Sequence, residues 1–194
     1  MNRGLIICLS ILVWGCADQN EVRTAAVKPE GVPACDISLA YPGYRGGAVE
    51  IEGVVSGGVG AFHVNDLMYL MMGPMAEEKM VIFQVDLENS GSERISLDRT
   101  SLTIHGGDGV VISSIPPDAI LTMSRGTDAS PDPDDVYQQL GDGLVGNGFS
   151  KGIDIGPGEQ GSMMIAFPLP LPPDPRIIVS VAGKSATIPI CWGE

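Results

Sequence analysis

The side chains able to do chemistry in this 194-residue chain are few and scattered. Its imidazoles are His63 and His105. Nucleophilic catalysis needs such a base beside a nucleophile and an orienting group, and neither histidine sits in a motif that assembles the three. No Gly-x-Ser-x-Gly elbow occurs, and His105 stands next to the turn residues Gly106 and Gly107, as a surface residue at a strand end would. Ala182-Gly183-Lys184-Ser185 matches the end of a phosphate-binding loop. Ile178 occupies the position of that loop's first glycine, however, and the segment reads strand, turn, strand. A non-enzymatic protein with no catalytic residue is expected.

Thioethers are the next candidates. Met68, Met71, Met72, Met75 and Met80 lie close together, His63 stands just upstream, and Met163-Met164 lies far along the chain. Soft sulfur and imidazole ligands suit Cu(I). A core with four Phe, four Tyr and two Trp also needs a flexible filler, and methionine supplies one. Both readings fit the mixed spacing. Asp128, Asp132, Asp134 and Asp135 could offer oxygen ligands to Ca²⁺, but their spacing is not that of an EF-hand and Pro131 and Pro133 stiffen the run. A solvated acidic loop is expected there, and no metal ligand or cofactor is assigned.

Cysteine chemistry begins at the N-terminus. Met1-Asn2-Arg3 carries a positive charge and precedes an apolar stretch, Leu5 to Val13, that is too short to span a bilayer. This leads into Val13-Trp14-Gly15-Cys16, which resembles the bacterial lipobox: an aliphatic residue three positions before the cysteine, a small residue immediately before it, then the cysteine. Trp14 departs from the pattern, in which that position is small. The resemblance implies a lipoprotein signal peptide over residues 1–16 and a membrane anchor on the acylated thiol of Cys16. An ordinary secretory signal or a short core helix is the competing reading of the same residues. Ala17, not Asp, follows the cysteine, which by the enterobacterial sorting rule implies the outer membrane where the cell has one.

Residues 17–33 are polar, mixed in charge and without apolar periodicity, and read as a flexible tether. Such a tether holds a domain in water while acyl chains bury in lipid. Residues 34–194 are then one domain, of a size that supports a single core. Cys35 and Cys191 are the cysteines left in it. In an oxidising compartment an even pair suggests a disulfide joining the first strand to the last; two buried free thiols are the alternative.

The formal charge is −13, and removing residues 1–16 takes away one positive charge, Arg3, to leave −14. A surface this acidic repels phosphate backbones and favours solubility, cations or basic partners, so nucleic acid is excluded as a ligand.

The elements that must position these residues read as short strands. The 26 Gly and 15 Pro fall between apolar runs. Cys35 to Tyr41 alternates as a first strand, Pro42 to Gly47 as a loop, and Ala48 to Val55 as a second strand that Gly57-Gly58-Val59-Gly60 breaks. Asp66 to Met72 fits a helical turn or a strand equally. Lys79 to Asn89 is the clearest strand, with Val81, Phe83, Val85 and Leu87 on one face and Gln84, Asp86 and Glu88 on the other. Arg94 to Leu97 and Ser101 to His105 are expected to continue that sheet, and Gly106-Gly107-Asp108-Gly109 to turn a hairpin back through Val110 to Ile112. Residues Ser124 to Gly152 read as a long acidic insertion, with a helical turn possible at Asp134 to Leu140. Strands resume at Gln160 to Pro168, Arg176 to Ala182 and Ser185 to Cys191, and the prolines from Pro168 to Pro175 imply an extended connection between two of them.

Seven or more short antiparallel strands fit a two-layer sandwich. Val81 to Gly91, the Leu97-Asp98 step, and Ile155-Gly156-Pro157-Gly158-Glu159-Gln160-Gly161 leading into Ile165 to Pro168 resemble the immunoglobulin-like domains of bacterial lipoproteins of unknown function. The likeness spans roughly Val81 to Ile190 and rests on pattern alone. It implies an all-β, immunoglobulin-like antiparallel sandwich interrupted by the acidic insertion, and it brings no reaction with it. The expected role is an envelope module that binds another envelope protein or a surface polymer through its loops or a sheet edge. The rival expectation is a periplasmic Cu(I)-binding protein or copper chaperone using the Met and His ligands.

Overall fold

The computed structural model describes residues 28–36, 43–61, 79–120, 149 and 152–193. Strand signals dominate them. The strands are β1 (Gly43–Arg45), β2 (Ala48–Ile51), β3 (Val55–Ala61), β4 (Met80–Asn89), β5 (Ile95–Leu97), β6 (Leu102–His105), β7 (Val111–Ser113), β8 (Ile153–Ile155), β9 (Gln160–Pro168), β10 (Arg176–Val181), β11 (Lys184–Pro189) and β12 (Cys191–Gly193). They form two antiparallel four-stranded sheets, ordered β2-β3-β4-β9 and β11-β10-β6-β7, with two-stranded pairs β1-β12 and β5-β8. The architecture is an all-β sandwich.

Side-chain alternation explains the layering. Val81, Phe83, Val85 and Leu87 of β4, with Met163, Ile165 and Phe167 of β9, share one core with Leu102, Ile104, Ile177, Val179 and Ile188 of the facing sheet. Phe83 and Phe167 meet edge to face, with ring centroids 6.2 Å apart. Burying a side chain of this size contributes roughly 1.5–3 kcal/mol over leaving it exposed. The outer face of β4 divides in two. Met80 and Ile82 are buried there, as is Ala166, the register partner of Ile82. Asp86 and Glu88 are exposed and Gln84 is half-buried.

Turn chemistry sets the hairpins. Asp108 and Gly109 (φ 85°) reverse the chain between β6 and β7, closed by the Gly106 N–H donating to the Val110 carbonyl at 2.8 Å. Ala182 (φ 50°) and Gly183 (φ 76°) join β10 to β11, the pair of positive values that a two-residue hairpin requires. The Ala182-Gly183-Lys184-Ser185 segment is therefore a tight hairpin.

Several expectations are corrected. Gly43-Tyr44-Arg45, read as loop, is a strand, because β12 supplies its hydrogen-bonding partner non-locally. The glycines expected to break the second strand lie inside β3, which pairs without interruption from Val55↔Asn89 to Ala61↔Phe83. Neither Arg94 to Leu97 nor Ser101 to His105 continues the sheet of β4: β5 pairs with β8 alone, and a one-turn 3-10 segment, Arg99–Ser101, redirects the chain so that β6 joins the facing sheet. The proline-rich connection is not extended throughout. The Leu169-Pro170 bond is cis, Asp174 has φ 46°, and Leu171 is buried in the core. The run Asp66 to Met72, most of Cys35 to Tyr41, and nearly all of the acidic insertion lie outside the described residues.

The packed structure reaches back into the segment read as tether. Val32 is 2% exposed within the core. The Gly31 carbonyl accepts from the Asp174 N–H at 2.8 Å, and the Pro33 carbonyl from the Trp192 N–H at 2.7 Å.

Candidate functional site

The outer face of the β2-β3-β4-β9 sheet holds a concave, acidic surface. Register places its side chains in rows: Glu50, Ser56, Glu88 and Gln160 in one, Ala48, Gly58, Asp86 and Ser162 in the next. Between them runs a row of Val49, Gly57, Leu87 and Gly161. Val49 and Leu87 turn inward to the core, so this middle row offers little more than backbone to the outer surface. The result is a groove of about 390 Å³ lined by Ser56, Gly57, Gly58, Asp86, Glu88, Gln160 and Ser162, among others.

Glycine is required in the floor. Gly57 has φ 154°, and a Cβ there would lie 2.1 Å from the Asp86 carbonyl oxygen. The two carboxylates are held by amides. Gln84 Nε2 donates to both oxygens of Asp86 at 3.0 Å, and Gln160 Nε2 donates to Glu88 Oε2 at 3.2 Å. Among the described residues neither carboxylate is paired with a cation. Each keeps acceptor capacity toward solvent, and a groove of one charge sign concentrates cations from solution. Its chemistry is acceptance of hydrogen bonds from ammonium or guanidinium groups.

The residues singled out from the sequence fall elsewhere. Cys35 and Cys191 are joined by a disulfide, with Cα atoms 5.1 Å apart and 156 positions of separation in sequence. Cys16, His63, Met68, Met71, Met72, Met75 and the acidic run from Asp128 to Asp135 lie outside the described residues. His105 is half-buried, with Nε2 3.1 Å from Thr103 Oγ1, and its register partners are Val111 and Arg176. Met163 points into the core, while Met80, also buried, is absent from that core and sits on the outer face. Strand alternation turns Met164 outward as well. The described thioethers of β4 and β9 are thus split between two faces. Among the described residues no group of three or more His, Cys, Asp or Glu side chains could hold a metal ion, and no helix is long and apolar enough to cross a membrane.

Only half of the groove is legible in the sequence. The alternation of Gln84, Asp86 and Glu88 marks a wet face, but the bare floor beside it was hidden in glycines read as a break.

No protein-family model matches the chain, and no curated protein matches its sequence. Similar solved structures include the yjhA protein of Bacillus subtilis, at 11% identity over 68% of this chain and 76% of that one, with a TM-score of 0.39. Another is ycdA, a candidate lipoprotein of Bacillus subtilis subsp. subtilis strain 168, at 13% identity over 71% of this chain, a TM-score of 0.38, and only 36% of that longer chain covered. A functionally unknown protein from Listeria monocytogenes EGD-e is similar at 10% identity over 84% of this chain and 92% of that one, with a TM-score of 0.38.

Proposed function

We propose that this chain is an envelope lipoprotein, anchored through acylated Cys16, whose immunoglobulin-like sandwich is a non-enzymatic module that binds a basic envelope protein or surface polymer. The groove on the outer face of β3, β4 and β9 carries this reading. It combines a side-chain-free floor with two carboxylates that lack a cationic partner among the described residues. The anchoring part rests on the charged start, the apolar run and the Gly15-Cys16 junction. Ala17, in place of a retaining Asp, favours the outer membrane by the enterobacterial sorting rule where the cell has one.

Two measurements test the reading separately. The intact mass of membrane-extracted protein should show the leader removed and Cys16 diacylglycerated and N-acylated; recovery of the unprocessed chain in the cytosol would end the anchoring claim. Immobilised mature protein should retain lysine-rich peptides in a salt-sensitive manner, with affinity falling about tenfold in the Asp86→Asn, Glu88→Gln double variant. Unchanged retention by that variant would remove the groove from the function.

A further inference from the structure

The first described residues and the last strand are fastened together in three ways. Their side chains share the core: Val32 is 2% exposed, and Trp192, 6% exposed, packs edge-on against Tyr44 at 5.1 Å. Their backbones pair: the Trp192 N–H donates to the Pro33 carbonyl at 2.7 Å, and the Cys35 N–H donates to the Trp192 carbonyl at 2.8 Å, around a parallel bridge between Ala34 and Trp192. The third link is covalent, Cys35 to Cys191.

We infer that this junction is a force clamp: tension arriving along the tether peels the chain no further than Cys35 and enters the sandwich at both ends of its chain, so the fold lasts longer while the protein is pulled. The inference rests on the reading that residues 17–33 link an anchored Cys16 to the domain. Cell-envelope motion then loads the fold at one place, the entry of the chain near residue 33. Without the bridge, that load would fall on the hydrogen bonds that hold residues 33–35 to β12, each worth only about 0.5–1.5 kcal/mol net. Once they parted, the chain beyond Cys35 would peel toward β1 and Trp192 would lose its cover.

The bridge changes the path. Beyond Cys35 the load divides. One branch follows the main chain toward β1, and the other crosses to Cys191 and returns through Ile190, which is fully buried and donates its N–H to the Pro175 carbonyl at 2.8 Å. Both branches first reach the same pair of strands, because β1 and β12 are hydrogen-bonded from Gly43↔Gly193 to Arg45↔Cys191. That pair is a sheet of its own, and the groove strands β3, β4 and β9 are not in it.

Constant-force measurements on single molecules test this. The mature chain from residue 17 is held between a handle at its N-terminus and one on Ser92, an exposed residue in the turn after β4. Each molecule is measured oxidised, then again after reduction by a phosphine, so that folding itself is not at issue. The folded lifetime at a given force should be longer by about tenfold or more in the oxidised state. Lengthening before rupture should be confined to residues upstream of Cys35. The Cys35→Ser, Cys191→Ser variant, if it folds, should behave like the reduced protein. Equal lifetimes before and after reduction would overturn the clamp, as would early lengthening beyond Cys35. Acylation plays no part in this experiment, so its outcome is independent of whether Cys16 carries lipid.

Discussion

Asn89 Nδ2 donates to the carbonyl of Ile155 at 2.9 Å, across 66 positions of sequence. Asn89 is fully buried, and nearly all of its hydrogen-bonding capacity is used. Nδ2 also donates to the Glu93 carbonyl at 2.7 Å, and Oδ1 accepts from the Gly91 N–H at 2.9 Å. Its backbone N–H donates to Glu159, and its carbonyl accepts from Gly158. The Asn89-Ser90-Gly91 turn and the Gly156-Pro157-Gly158-Glu159 turn, two pattern elements far apart in the chain, are thereby one tied corner. Asn89→Ala should cost about 2–4 kcal/mol, because it strands a buried carbonyl as well as removing the bonds. Asn89→Asp, which keeps the acceptor and loses both donors, should cost at least as much at neutral pH. Urea unfolding followed by Trp fluorescence measures both; a loss under about 0.5 kcal/mol would mean that water satisfies the corner as well as Asn89 does.

How far the chain could be read follows from where each signal is encoded. The β4 strand was legible because its alternation is local, and the β6–β7 hairpin because Asp108-Gly109 sits at the turn that needs it. Non-local pairings were not. Gly43 to Arg45 is a strand only because β12, roughly 150 positions away, lies beside it. The groove floor is illegible for a related reason. Glycine signals a turn by its conformational freedom, but it equally signals close approach of another backbone, and nothing near Gly57 in sequence distinguishes the two. The inter-cysteine pairing was open to reading by elimination once Cys8 and Cys16 are assigned to the leader and anchor. The role of Asn89 was not, since one asparagine at a strand end looks like any turn former.

The glycines of β3 differ in what they tolerate, and this separates close packing from mere flexibility. A Cβ on Gly57 meets the Asp86 carbonyl, whereas one on Gly60, in the same strand, meets nothing within 4 Å. Gly57→Ala should destabilise by about 2–4 kcal/mol, from backbone strain and overpacking together. Gly60→Ala should be neutral within about 0.5 kcal/mol. Thermal denaturation of the two variants decides it. Equal effects would place the requirement in strand entropy rather than in the contact with β4.

Asp98 makes a pH prediction possible. Its Oδ1 accepts from the Thr100 hydroxyl at 2.6 Å, the Thr100 N–H at 2.7 Å and the Ser101 N–H at 3.1 Å, while Ser101 Oγ accepts from the Asp98 N–H at 3.2 Å. This reciprocal cap starts the 3-10 turn that carries the chain from β5 to the facing sheet. The Thr100 hydroxyl, then the Thr100 amide and the Ser101 groups, hold the Asp98 carboxyl below its ordinary value of 3.8. A carboxyl whose folded value is depressed binds its proton less readily in the native state. Its stabilising contribution is therefore complete above the ordinary carboxylate value and disappears as pH falls through the lower folded one. Asp98→Ala should cost about 1 kcal/mol near neutral pH, the usual loss for a cap. The gap between it and the parent should narrow below about pH 4 as the parent's carboxylate is protonated, while Asp98→Asn, an equally good cap without a charge, should show no such narrowing of its own distance from Asp98→Ala. Urea midpoints measured from neutral to acidic pH test the sign. A parent-to-alanine gap that persists unchanged into strong acid would show that the neutral carboxyl caps the turn as well as the charged one, and that the charge at Asp98 contributes nothing to the crossover.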